Sequence, residues 1–127
     1  MKDDIRDSLL SVRQGDIADE IIAEYSFAHD LEVFRGHFPG NPVLPGVFQI
    51  EMIRHALETI HRKKYIIKLT LKAKFNNMIL PDSGITVRIK KTDIDGQIKV
   101  RAKSYVDEKM TSDVIMVLDC PDENATN

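Results

Sequence analysis

The hydrophobic period of this chain changes once, and that change limits what it can fold into. In VFQIEMIRHALETIHRK, from Val47, the apolar residues Ile50, Ile53, Leu57 and Ile60 recur at helical spacing, supported by Ala56. No proline or glycine interrupts the run before Pro81. The pattern predicts a helix from about Pro45 to His61, with proline suited to the first helical position because its missing N–H would be unpaired there. From Ile66 onward the period is two. IIKLTLKAKF sets Ile67, Leu69, Leu71, Ala73 and Phe75 on one side and Lys68, Thr70, Lys72 and Lys74 on the other. Ile85, Val87 and Ile89 alternate with polar residues in the same way, as do Ile98, Val100 and Ala102. Asp95-Gly96 between these two runs is a hairpin signal.

Strands with one wet and one buried face suit an antiparallel sheet, and the single long helix is the element available to cover the buried face. The N-terminal part is less decided. IRDSLLSVR (5–13) is ambiguous, Gly15 and Asp16 mark a turn, and 17–28 fits helix or strand. Strand is favoured for its latter half, with Ile22, Tyr25 and Phe27 as apolar positions. The last run, DVIMVLDC, is apolar on both sides, which suggests a second neighbour such as another subunit. The plan is α+β: a curved antiparallel sheet around one long central helix. A chain of 127 residues fits one domain, expected over 1–120, with 121–127 (PDENATN) as a frayed tail.

Several classes are disfavoured. No apolar run is long enough to span a bilayer as a helix, and the acidic start MKDDIRDSLL lacks the apolar core of a signal peptide. Cys120 is the only cysteine, so neither an intrachain disulfide nor a cysteine metal cluster is available. These features point to the cytosol. Charge is uneven: residues 61–106 carry twelve bases and three acids, while 1–35 carry nine acids and four bases. The basic block fits a solvated sheet face or an acidic protein partner. It lacks the interleaved aromatics of a nucleic-acid surface.

Ahead of the helix lies HFPGNPVLPG, His37 to Gly46, with three prolines and two glycines in ten residues. Each proline restricts φ and removes a donor, and the glycines permit close approach. The result is a rigid segment feeding a helix N-terminus, where N–H groups lack partners and carry partial positive charge. The amides of Gly46 and Val47 would stabilise a carbonyl oxygen gaining negative charge. His37 opens the loop, and Glu51 follows Gly46 by five residues, about 7.5 Å along the helix axis. A histidine, a carboxylate and helix-end donors are the parts needed for proton removal beside a carbonyl.

The segment GHFPGNPVLPGVFQIE, Gly36 to Glu51, resembles the active-site motif of the β-hydroxyacyl-acyl carrier protein dehydratases: a histidine, the PG-x-P-x-x-PG pattern, and a glutamate fourteen residues after the histidine. A weaker similarity runs from about residue 5 to 119. The resemblance implies a hot dog fold and a homodimer, or a trimer of such dimers, in which each site takes its histidine from one subunit and its acid from the other. It implies dehydration of a (3R)-hydroxyacyl chain, tethered through phosphopantetheine to acyl carrier protein, to the trans-2-enoyl chain. It implies no cofactor, metal, nucleic acid or membrane. His37 would take the α-proton, Gly46 would hold the thioester oxygen, and Val47, Phe38 and Pro45 would line the substrate site. Glu51 from the partner would help the β-hydroxyl leave, as an acid with a pKa raised by burial or through a water. Glutamate rather than aspartate at this place goes with plain dehydration. Arg62, Lys63, Lys64, Lys68 and Lys72 are candidates to dock the acidic carrier. Two other activities suit the same fold, a hot dog acyl thioesterase and a non-catalytic acyl-binding subunit.

The chain departs from that pattern after Glu51, with EMIRH where the family has an EAMAQ-like run. Arg54 and His55 bring bulk and charge to the helix side that lines the acyl tunnel. One turn from Glu51, His55 is placed for an ion pair with it or for tuning it. Housekeeping fatty acid synthesis and a specialised branch, polyene or lipid, both remain open.

Overall fold

The computed structural model describes residues 1–35, 40 and 42–121. The chain runs through α1 (Lys2–Ser8), β1 (Leu9–Gln14), β2 (Glu20–Tyr25), a 3-10 turn at Glu32–Phe34, and the long helix α2 (Gly46–His61). It ends in β3 (Ile66–Phe75), β4 (Ile85–Ile94), β5 (Gln97–Val106) and β6 (Lys109–Asp119). The six strands form one antiparallel sheet in the order β1-β2-β4-β5-β6-β3. The ambiguous opening segment thus splits into a short helix and an edge strand. Ser8 ends that helix by donating its hydroxyl to the Asp4 carbonyl at 2.6 Å. β2 stops at Tyr25, but Phe27 is still buried and stacks on the Tyr25 ring.

The long helix packs Met52, Ile53, Ala56 and Leu57 into one core with Ala23, Val87, Ile89, Val100, Ala102, Val114 and Met116 of the sheet. Its buried face is turned slightly from the expected one. Gln49 and Met52 are buried, whereas Ile50 and Ile60 only border the core. α2 ends at Arg62 in the left-handed region (φ 55°), and Glu58 stabilises the exit by accepting the Tyr65 N–H at 2.9 Å. Both residues of Asp95-Gly96 have positive φ, 51° and 77°, as a two-residue hairpin matching strand twist requires. Asp107-Glu108 makes the next hairpin in the same region of φ, with no glycine to announce it.

Strict alternation in β3 is not observed. Ile67 pairs with Leu118 and Leu69 with Val117; Thr70 pairs with Met116 and Lys72 with Ile115. Two irregularities each set two residues of β3 against one step of β6. Adjacent residues of β6 point to opposite faces, so each irregularity flips the side chains that follow. The first turns Leu69 to the face of Val117 and the second restores the original alternation; Leu69, Leu71 and Phe75 are all exposed, because β3 is an edge strand. β6 lies between β5 and β3, so both of its edges are paired within the chain, while Ile115 and Val117 on its outer face stay half-buried. The sheet edge lacking a neighbour on this side is β3.

Asp113 fastens that edge. Its buried carboxylate accepts from Arg101 of β5, at 3.0 and 3.3 Å, and from Lys72 of β3 at 3.0 Å. The Arg101 hydrogen bond above all, with Lys72 behind it, holds the Asp113 carboxyl down to about 2 against the opposing effect of burial.

Candidate active site

The start of α2 is positioned by the chain on both sides of it. The Leu44 N–H donates to the Ile79 carbonyl at 2.8 Å, tying the entry of α2 to the segment after β3. Pro45 is the N-cap (ψ 152°) and Gly46 the first helical residue, one place later than the spacing suggests. The Pro45 carbonyl accepts from the amides of Phe48 and Gln49, at 3.1 and 3.3 Å, and no side chain caps the helix. The Gly46 and Val47 amides precede the first helical carbonyl they could reach. Phe75 explains why position 46 is glycine: a Cβ there would fall 2.8 Å from its ring. A cavity of about 320 Å³ opens here, lined by Pro45, Gly46, Gln49, Phe75, Asn76 and Met78.

Gln49 was not singled out from the sequence, where it reads as one more polar residue of a helix. It is buried, its Nε2 donates to the Leu44 carbonyl at 3.4 Å, and its Oε1 has no partner. Only its place on the buried face sets it apart. Val47 is exposed beside it.

Glu51 lies elsewhere. It lines a separate cleft of about 470 Å³ with Arg54, His55, Arg6, Tyr65 and Ile66. Its carboxylate Oε2 accepts from Arg54, from Nε at 2.9 Å and also from Nη2. Arg54 Nη1 continues to the Tyr65 carbonyl at 3.2 Å. The expected link between Glu51 and His55 is replaced. The His55 Nδ1 lies 2.6 Å from the Tyr25 hydroxyl, which also reaches the Met52 carbonyl at 3.1 Å. Burial pushes His55 below its ordinary pKa, with Arg6 adding to that and Glu58 opposing it. Burial also pushes the Tyr25 phenol well up.

His37 and Phe38 lie outside the described residues. Gly46, Val47 and Pro45 come together at the helix start, and Glu51 does not join them within one chain. Among the basic candidates, Lys72 is committed to Asp113. Arg62, Lys63, Lys64 and Lys68 are exposed around the end of α2 and the start of β3. No helix among the described residues is long and apolar enough to cross a membrane.

The 3-hydroxyacyl-[acyl-carrier-protein] dehydratase FabZ of Lactobacillus helveticus is 34% identical over 101 residues, 72% of this chain and 67% of the relative. That of Lactococcus lactis is 33% identical over 99 residues, 71% and 65% of the two chains. The alignments thus span about two thirds of the curated relatives' length. In fold, the dehydratase heterocomplex ApeI:P from Xenorhabdus doucetiae is similar with a TM-score of 0.72 at 24% identity, over 87% of this chain and 95% of that one. The profile of the ApeI-like dehydratases matches residues 13–114, from β1 through the helix start and Glu51 into β6. A match over that much of the chain, on a hot dog fold, makes this chain a member of the ApeI-like family of dehydratases.

Proposed function

We propose that the protein dehydrates (3R)-hydroxyacyl thioesters carried on acyl carrier protein, giving trans-2-enoyl thioesters, in fatty acid or related acyl-chain biosynthesis. The observation that carries this reading is the helix start, where Gly46 presents its amide without a side-chain cap and beside a cavity. An oxygen that becomes enolate-like when the α-proton leaves is stabilised by such donors. His37, nine residues ahead of Gly46 in the motif, is the base, its neutral imidazole suited to proton removal near neutral pH. Glu51 assists departure of the β-hydroxyl. Phe38 and Pro45 line the acyl path.

Separation of Glu51 from Gly46 into different cavities supports a site completed by a second subunit. The edge strand β3 offers the means. Ile66, Leu69, Leu71 and Phe75 are exposed along it, and Met78, Leu80 and Val47 are exposed as well. An unpaired apolar edge of ten residues is a template for another strand, and pairing two copies of β3 across a two-fold axis covers both. The reading is a homodimer, or a trimer of such dimers; a heterocomplex is the form named for the Xenorhabdus relative. Arg62, Lys63, Lys64 and Lys68 form the basic rim on which an acidic carrier docks.

Incubating the protein with a 3-hydroxyacyl group on acyl carrier protein tests the activity. Formation of the conjugated enoyl thioester supports it, and its loss in His37→Ala assigns the base. Release of free thiol without enoyl product means a thioesterase instead, and retention of bound acyl chain without turnover means a binding subunit.

A further inference from the structure

We propose that Arg54 is a positioning residue for this reaction, acting through Glu51; the inference rests on the dehydration reading and deepens it. Arg54 follows Glu51 by one helical turn, which puts both side chains on one face. An exposed pair at this spacing is worth little. This one is mostly buried, with 24% of the Arg54 side chain and 22% of the Glu51 side chain exposed. Two guanidinium nitrogens converge on Glu51 Oε2, and the third donates to the Tyr65 carbonyl at 3.2 Å. Arg54 is thus anchored at both ends, to the helix that carries the acid and to the backbone entering β3.

A glutamate has three rotatable bonds and ordinarily wanders over the helix surface. A planar guanidinium, itself tied to a main-chain carbonyl, holds one carboxylate oxygen and with it the plane of the group. Oε1, which the guanidinium does not touch, is then the oxygen that carries the proton and gives it to the leaving hydroxyl, directly or through the water beside it, as the C–O bond breaks. Lys2 and Lys64 also line the cleft, and three of its other titratable groups have partners of their own. His55 is bound to Tyr25, Arg6 pairs with Asp3 at 3.4 Å, and Glu58 accepts the Tyr65 amide. Orientation matters here because the acid serves a substrate held by the partner's helix start, and a displacement of about 1 Å is enough to cost a factor of about 100 in rate.

The test is a double-variant cycle with Arg54→Gln, Arg54→Lys, Glu51→Gln and the Glu51→Gln/Arg54→Gln pair. It reads kcat and KM for a 3-hydroxyacyl group on acyl carrier protein, and the thermal midpoint of each protein. Expected are a fall in kcat of about 10- to 100-fold for Arg54→Gln with KM little changed, partial recovery with lysine, and no added loss when Gln already stands at 51. Wild-type kcat in Arg54→Gln, or an equal loss in both Glu51 backgrounds, overturns the proposal. If Arg54→Gln does not fold, Arg54→Lys decides: a lowered kcat at an unchanged midpoint supports the role, and wild-type kcat removes it. Absence of any enoyl product from the wild-type protein fells the dehydration reading and this proposal together. Dehydration that is indifferent to Glu51→Gln fells this proposal alone.

Discussion

Gly46 and Phe75 are in close contact: the ring closes over the first residue of α2, and a methyl group added there would sit 2.8 Å from Cζ. The contact joins the start of the helix to the end of β3. Gly46→Ala gains at most about 1 kcal/mol of helix propensity and loses about 1–3 kcal/mol to overpacking. Because Phe75 is partly exposed and its ring can swing aside, stability is expected to fall by about 1 kcal/mol or less. Turnover falls much further, because the displaced ring and new methyl group crowd the amide. Urea denaturation and a dehydration assay on the same variant separate the two effects, and Gly46→Ala/Phe75→Leu recovers part of the activity.

Tyr25 and His55 lie 2.6 Å apart at the rim of the core, with the Met52 carbonyl as the phenol's second contact. Tyr25→Phe keeps the ring and removes the hydroxyl. Leaving His55 Nδ1 without its partner is expected to cost about 1–2 kcal/mol, read as a lower denaturation midpoint with an unchanged slope.

Acid stability follows from the same histidine. Burial holds His55 and His61 below the ordinary histidine range in the folded protein, so between the folded and unfolded values the unfolded chain binds more protons. Their contribution is present above pH of about 6.5 and is lost as pH falls through the lowered folded values. Denaturation midpoints measured from pH 8 down to about pH 5 are expected to decline. His55→Gln is expected to flatten the decline in part, with His61 accounting for the remainder.

Asp113 acts at lower pH. Its carboxyl is held near 2, below the unfolded value, so its contribution is complete above about pH 4 and disappears as pH drops toward 2. Arg101 and Lys72 are about half exposed, which screens the pair, and Asp113→Asn is expected to cost about 1 kcal/mol at neutral pH. Hydrogen exchange is the sharper readout: the amides of β3 that bond to β6 lose protection before those between β4 and β5.

The exposed side chains of β3 bear on assembly. On the homodimer reading, Leu69→Glu with Leu71→Glu places charge on the open edge and is expected to shift sedimentation from dimer to monomer while far-ultraviolet circular dichroism is kept. Turnover is lost with the dimer if each site draws Glu51 from the second subunit. A variant that stays dimeric puts the contact elsewhere.

Much of this architecture was legible in the residues. One run of period 3.6 and several of period two dictate a helix over a sheet with one wet face, because a side chain's direction follows from local geometry alone. Asp95-Gly96 announced its hairpin for the same reason. What could not be read locally was register. Leu69 and Leu71 look like core residues in sequence and are exposed, because the pairing with β6 is irregular around them and β3 is an edge strand. The partners of the site residues were equally hidden. Glu51 is four residues from His55 and three from Arg54, and spacing favours neither. The choice went to arginine because the Tyr65 carbonyl anchors its far end, while Tyr25, thirty residues before His55, takes the imidazole. Periodicity and turn chemistry are properties of neighbours along the chain; register, burial and hydrogen-bond partners are properties of neighbours in space, and only folding brings those together.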